Sequence, residues 1–208
     1  MAKKDYQNNY PSVTQLISQL ASPGLMYWFK VTSLAEINRI SLKGKQIGSD
    51  IHLAIENFIV TGKAKIETNY AKEVINALNS FMLFRKERAD IVLEKSEMPL
   101  TSVKHLFNGQ IDCIAKKNNE IWLLDWKSQD CKDKNKPTIY NEAKIQTSAY
   151  AYLMKECKEI VIDKVLIVAI AKNKIAYNTY EMEKEEINGW FNEVFLSLLK
   201  IYNYSNNK

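Results

Sequence analysis

The sequence predicts an α/β fold: a mixed central β-sheet flanked by helices, with a helical N-terminal region ahead of it. Three observations predict it. Apolar residues recur at helical spacing before residue 90. Between 91 and 183 the runs shorten to strand length, broken by one helical stretch, and helical spacing returns after 184. Helices, a strand group, a helix, a hairpin and a final helix make one mixed-sheet layer architecture. The expected organisation is a single domain over 1–208, mainly helical over 1–90, a sheet core with one helix over 91–183, and a C-terminal helix over 184–208.

Each element has its own signal. Pro11-Ser12 before VTQLISQL reads as a helix start with Ser12 as N-cap. A helix over Ile47 to Ile59 would bury Ile51, Ile55, Phe58 and Ile59, and one over Ala71 to Ala89 carries Val74, Leu78, Phe81, Met82 and Arg85 at helical spacing. Ile91 to Leu100, Phe107 to Ala115 and Glu120 to Ser128 read as strands, with loops at Lys116 to Asn119 and Gln129 to Pro137. A helix follows from Asn141 to Cys157. Strands Lys164 to Ala171 and Lys174 to Met182 are joined by a short Lys-Asn turn. The last helix, from near Lys184, would bury Ile187, Trp190, Phe191, Val194, Phe195 and Leu198.

Composition excludes more than it assigns. No apolar run approaches the roughly 18–20 residues that span a bilayer, and MAKKDYQNNY has neither an apolar signal core nor an Arg-rich presequence. A cytoplasmic setting, in a bacterial cell or a phage-infected host, is the expectation, with no membrane and no mitochondrial targeting. Cys113, Cys131 and Cys157 form no Cys-x-x-Cys pair, which argues against a disulfide framework or zinc knuckle. The net charge of +5 suits a polyanionic partner. It equally suits the Lys-, Asn- and Ile-rich coding of an AT-rich genome, so charge decides nothing alone.

The chemistry lies in GQIDCIAKKNNEIWLLDWKS. Asn118-Asn119 tolerates the positive φ of a tight hairpin turn. Counting outward, Lys117 faces Glu120 and Asp112 faces Asp125. Directly opposed residues share a sheet face with Cβ atoms about 4.5–5.5 Å apart. Two carboxylates so placed repel unless a cation lies between them, and hard oxygen donors favour Mg²⁺ or Mn²⁺. Lys127, two residues past Asp125, falls on the same face. The plainer alternative is a strand end emerging into water with a surface Asp125–Lys127 pair, and a one-residue slip would separate the aspartates.

The order Gly48-x-x-x-His52, Gly109-x-x-Asp112, Asp125-x-Lys127 and Gln146-x-x-x-Tyr150, with thirteen residues from Asp112 to Asp125, resembles the RecB-like branch of the PD-(D/E)xK nucleases. Within it the likeness is to the mitochondrial genome maintenance exonuclease and to compact phage and bacterial enzymes. It includes PSVTQLI, GSDIHLAIE, LLDWKS and LIVAIAKN and covers roughly Pro11 to Leu199. The resemblance implies a restriction-endonuclease-like core and a DNA exonuclease using Mg²⁺ or Mn²⁺, acting on single-stranded DNA with free ends, threaded through an arch of N-terminal helices. His52, Asp112, Asp125 and the main-chain carbonyl of Trp126 would bind metal, and Lys127 would position the attacking water and offset charge on the phosphate. Gln146 and Tyr150 would support the site or touch DNA, and Ser12 and Thr14 would meet its backbone. Replication or recombination proteins are the implied partners. The chain has no helicase motifs and lacks the four cysteines that hold an iron–sulfur cluster in Cas4-like relatives, so no cluster is expected.

Each residue also has a plainer reading. His52 and Glu56 share a helix face and would form a surface pair, and Glu56 is open between binding metal, orienting His52 and facing water. Tyr150 could simply pack its helix on the sheet, Ser12 and Thr14 could be helix caps only, and His105 reads as a partnerless surface residue. The functional alternatives are a structure-selective endonuclease on the same core, a nucleic-acid-binding accessory protein without chemistry, and a structural protein whose acid–lysine hairpin is incidental.

Overall fold

The computed structural model describes residues 9–20, 22–131 and 135–206. The N-terminal residues 1–8, part of the loop expected over 129–137 and the last two residues of the C-terminal helix expected over 184–208 lie outside it. Among the described residues, α1 (Val13–Ile17), α2 (Pro23–Val31), α3 (Leu34–Thr61) and α4 (Lys72–Glu87) precede the strands β1 (Val92–Ser102), β2 (Phe107–Lys117) and β3 (Glu120–Gln129). Then come α5 (Asn141–Lys158), β4 (Lys164–Ala171), β5 (Tyr177–Glu183), α6 (Lys184–Gly189), a π-helical stretch (Trp190–Phe195) and α7 (Leu196–Asn206). No described helix is long and apolar enough to cross a membrane.

The sheet order is β1-β2-β3-β4-β5. β1, β2 and β3 form an antiparallel meander, α5 crosses over so that β4 lies parallel to β3, and β5 returns antiparallel. A parallel neighbour needs such a crossover because a tight turn cannot reverse direction twice. Pro99 lies inside β1, and an edge strand tolerates its missing donor. Asn118 takes the left-handed conformation, φ 55°, at the β2–β3 turn, and the pairing Lys117↔Glu120 holds through Cys113↔Leu124.

Side-chain alternation divides the core between the two faces of the sheet. On one, α1, α5 and the C-terminal helices bury Leu16, Phe107, Leu123, Leu153, Ile167 and Phe195. On the other, α3 and α4 bury Ile51, Ile55, Phe81, Phe84, Leu124 and Val168. Trp126 points to this second face, edge-on to Phe81 at 5.4 Å and Phe84 at 5.9 Å. That anchorage fixes β3 beside the acids described below.

Several sequence expectations need correction. The helix expected over Ile47 to Ile59 is the second half of a 28-residue helix, α3, which continues back past Gly44. Its first half and α2 carry exposed apolar side chains, so no buried stripe marked them. β5 starts at Tyr177 rather than Lys174, because the turn before it, closed by Ala171 N–H donating to Ala176 O at 3.0 Å, is tied to neighbouring segments. Asn173 bonds the backbone of Cys131 through both its side-chain oxygen and nitrogen, and Ser80 Oγ accepts from Ala176 N at 3.0 Å. The C-terminal helix is interrupted by the π-helical stretch, where Phe191 stacks on Tyr152 with centroids 4.1 Å apart. His105 is half-buried rather than partnerless, edge-on to Tyr152 at 5.1 Å, because the β1–β2 turn folds over α5. Glu156 of α5 ties that turn down, accepting from Ser102 Oγ and from the amides of Val103 and Lys104.

Gly109 shows why the Gly-x-x-Asp motif begins with glycine. A Cβ there would lie 2.5 Å from Leu153 Cδ1 and 2.9 Å from Tyr150 Cε1. Gly109→Ala is therefore expected to destabilise the protein by about 1–3 kcal/mol, as overpacking does. Urea unfolding of the two proteins measures this.

Candidate active site

The α3 stripe Ile47, Ile51, Ala54 and Ile55 is buried against the sheet, which turns His52 toward the β1–β2 edge. There His52 Nδ1 lies 3.5 Å from Glu97 Oε1 and 3.8 Å from Asp112 Oδ1. One ligand atom from each of His52, Glu97 and Asp112 falls within 4.8 Å of the others. The partner of His52 is thus Glu97 together with Asp112 and not Glu56. Glu56 makes no hydrogen bond or ion pair among the described residues, and its carboxyl is raised by partial burial and by Glu97.

The β2–β3 ladder stops at Cys113↔Leu124, one step short of the acids. Its register, continued, sets Asp112 against Asp125. Where the strands part, Asp112 Oδ2 accepts the amide N–H of Trp126 at 2.9 Å. In an extended strand a residue's N–H and C=O face the same neighbour, so the Trp126 carbonyl also faces the β2 side. Asp125 is fully buried, and Lys127 Nζ lies 2.7 Å from its Oδ2 while Oδ1 has no hydrogen-bond partner among the described residues. The surface-pair reading of Asp125 and Lys127 does not survive this burial.

Burial pushes the Asp125 carboxyl up to about 6, with Lys127 opposing and Asp112 adding to the rise. Burial disfavours the His52 imidazolium, but Asp112 and Glu97 outweigh it and hold it up to about 9. Lys127 is likewise raised: burial opposes its charge, and Asp125 and Asp112 more than offset that. A histidine raised in the fold contributes stability that is complete below its ordinary value of 6.5 and is lost as pH rises through about 9. In chelator, the melting temperature should therefore fall between pH 6.5 and 9, by about 5 °C. The fall should vanish in His52→Gln, as thermal unfolding across that window will show.

Gln146 Nε2 donates to the Tyr150 hydroxyl at 2.7 Å, so these two are brought together on α5. Tyr150 is only 3% exposed, with its ring against Gly109. The ring packs the helix on the sheet and is not open for a base to stack upon. Ser12 caps α1, accepting from Gln15 N at 3.1 Å, and its Oγ lies 3.1 Å from Thr14 Oγ1. A bridge from Ser12 to Asn108 pins this helix start to β2, four residues before Asp112.

Glu97 is the residue the sequence reading missed. Its strand was recognised, and counting outward from the turn at 103–106 would have set it opposite Asp112, between the observed pairs Ser96↔Cys113 and Met98↔Ile111.

The donor set suits a divalent cation. The Glu97 and Asp112 carboxylates combine with one imidazole, and Asp125, outside that 4.8 Å group, adds a buried carboxylate oxygen with no hydrogen-bond partner among the described residues. The family model described as the PD-(D/E)XK nuclease superfamily matches residues 12–198. The chain belongs to that superfamily. It is a nuclease, its substrate class is nucleic acid, and nucleases of this superfamily use divalent metals. No curated protein matches the sequence. Two solved structures are similar to this nuclease. One is SSO0001, 13% identical over 98% of this chain and 79% of that one, with a TM-score of 0.47. The other is a phage-related exonuclease from Haemophilus somnus 129PT, 14% identical over 95% of each chain, with a TM-score of 0.43. The family assignment stands on the sequence match.

Proposed function

We propose that this nuclease is a Mg²⁺- or Mn²⁺-dependent DNA exonuclease acting on single-stranded DNA with free ends. The observation that carries the metal-dependent reading is the fully buried Asp125, with one oxygen 2.7 Å from Lys127, the other without a hydrogen-bond partner among the described residues, and the charge of Asp112 acting on it. The motif order from Gly48-x-x-x-His52 to Gln146-x-x-x-Tyr150, similar to the RecB-like branch, supports the choice of exonuclease and of DNA.

His52, Asp112, Asp125 and the Trp126 carbonyl would hold the cation. When bound, a divalent cation supplies Lewis acidity toward the phosphate and lowers the pKa of water. The chain's own groups do the rest. Lys127, held charged by Asp125, orients the attacking water and stabilises charge growing on the phosphate oxygens. The Trp126 amide fixes the Asp112 carboxylate, and Asp125 fixes the Lys127 ammonium. Gln146 donates to the Tyr150 hydroxyl one turn along α5, and in this reading the pair supports the site. Ser12 and Thr14, at the α1 start, face the DNA backbone in this reading.

A pair of single-stranded substrates of one sequence, linear and covalently closed, tests the exonuclease assignment. The linear strand should be digested and the circle left intact. Equal digestion of the circle would make the protein an endonuclease.

A further inference from the structure

We infer that Glu97 is a further cation ligand of this site, acting with His52 and Asp112, and this rests on the metal-dependent reading above. Its basis is how the three carboxylates are tied. In each, one oxygen is anchored and the other is left over. Asp112 Oδ2 takes the Trp126 amide, leaving Oδ1. Asp125 Oδ2 takes the Lys127 ammonium, leaving Oδ1 unpartnered in a fully buried side chain. Glu97 Oε2 takes the Gln110 side-chain amide, leaving Oε1. The spare oxygens of Glu97 and Asp112 both face His52 Nδ1, at 3.5 and 3.8 Å. Fixing one oxygen by an outer hydrogen bond while the other stays available is how proteins orient carboxylate ligands before an ion arrives.

The backbone agrees. Glu97 sits at φ 52° in the middle of β1, a left-handed conformation that non-glycine residues adopt at a cost. An ordinary surface glutamate on an edge strand has no need of it. The spare oxygens, with one imidazole, make a set of hard donors suited to Mn²⁺ or Mg²⁺. Gln110, inside the Gly-x-x-Asp motif, is then a positioning residue for Glu97.

The test is calorimetric titration of Mn²⁺ alone, without DNA, into metal-stripped wild type, Glu97→Gln, Glu97→Asp and Asp112→Asn. Far-UV circular dichroism confirms that each is folded. Glu97→Gln keeps the side chain's size and its link to Gln110 but removes the charge, and it should weaken Mn²⁺ binding by at least about tenfold. Glu97→Asp keeps the charge but shortens the reach, and should weaken binding by less. If both Glu97 variants bind Mn²⁺ as wild type does while Asp112→Asn binds worse, Glu97 is no ligand and the nuclease reading stands. If Asp112→Asn also binds as wild type does, the reading beneath the inference fails with it.

Discussion

Lys127→Ala is expected to abolish DNA cleavage while the chain still folds and still binds DNA. The reason is the asymmetry of what this side chain does. Its ammonium lies 2.7 Å from Asp125, and no second ion pair ties it down among the described residues. In the proposed mechanism its charge is spent on the attacking water and the phosphate. Removing one preorganised group aimed at developing charge costs about 10²–10³ in turnover. The bound cation would still neutralise Asp125 in the variant, so folding should persist. Single-turnover cleavage of end-labelled DNA, beside a binding titration, separates the effects. Full activity in the variant would remove Lys127 from the chemistry.

Asp112→Asn should be equally damaging to turnover, for another reason. The asparagine oxygen can still accept the Trp126 amide, so the β2–β3 junction stays intact. What goes is one negative charge among His52, Glu97 and Asp125. The variant should bind Mn²⁺ more than about tenfold more weakly and lose cleavage by about 10²–10³. Excess Mn²⁺ should restore part of the lost activity, whereas it should restore none in Lys127→Ala. Kinetics across a Mn²⁺ series distinguishes a binding defect from a chemical one.

Local patterns made much of this site legible in the sequence. The Asn118-Asn119 turn sets the register, and counting on from the last observed pair, Cys113↔Leu124, brings Asp112 toward Asp125. The Asp125-x-Lys127 spacing puts both on one face. β4, buried along nearly its whole length, shows as a continuous apolar run. What stayed hidden depends on tertiary contact. Glu97 joins the site through the β1–β2 register, which could have been counted from the turn at 103–106, and through a left-handed kink that leaves no local signal. Tyr150 looked available to a base because a helix-face motif does not reveal that Gly109 lies beneath the ring. α2 buries no residue, so its apolar side chains do not report a core-facing stripe. The π-helical stretch answers to the stacking of Phe191 on Tyr152, a partner nearly forty residues away.

The most direct measurement of the central claim uses one end-labelled single-stranded DNA incubated with the purified protein in Mg²⁺, in Mn²⁺ and in chelator. Cleavage in either cation that stops in chelator is the predicted result. Persistent cleavage in chelator, or intact DNA in both cations, would contradict it.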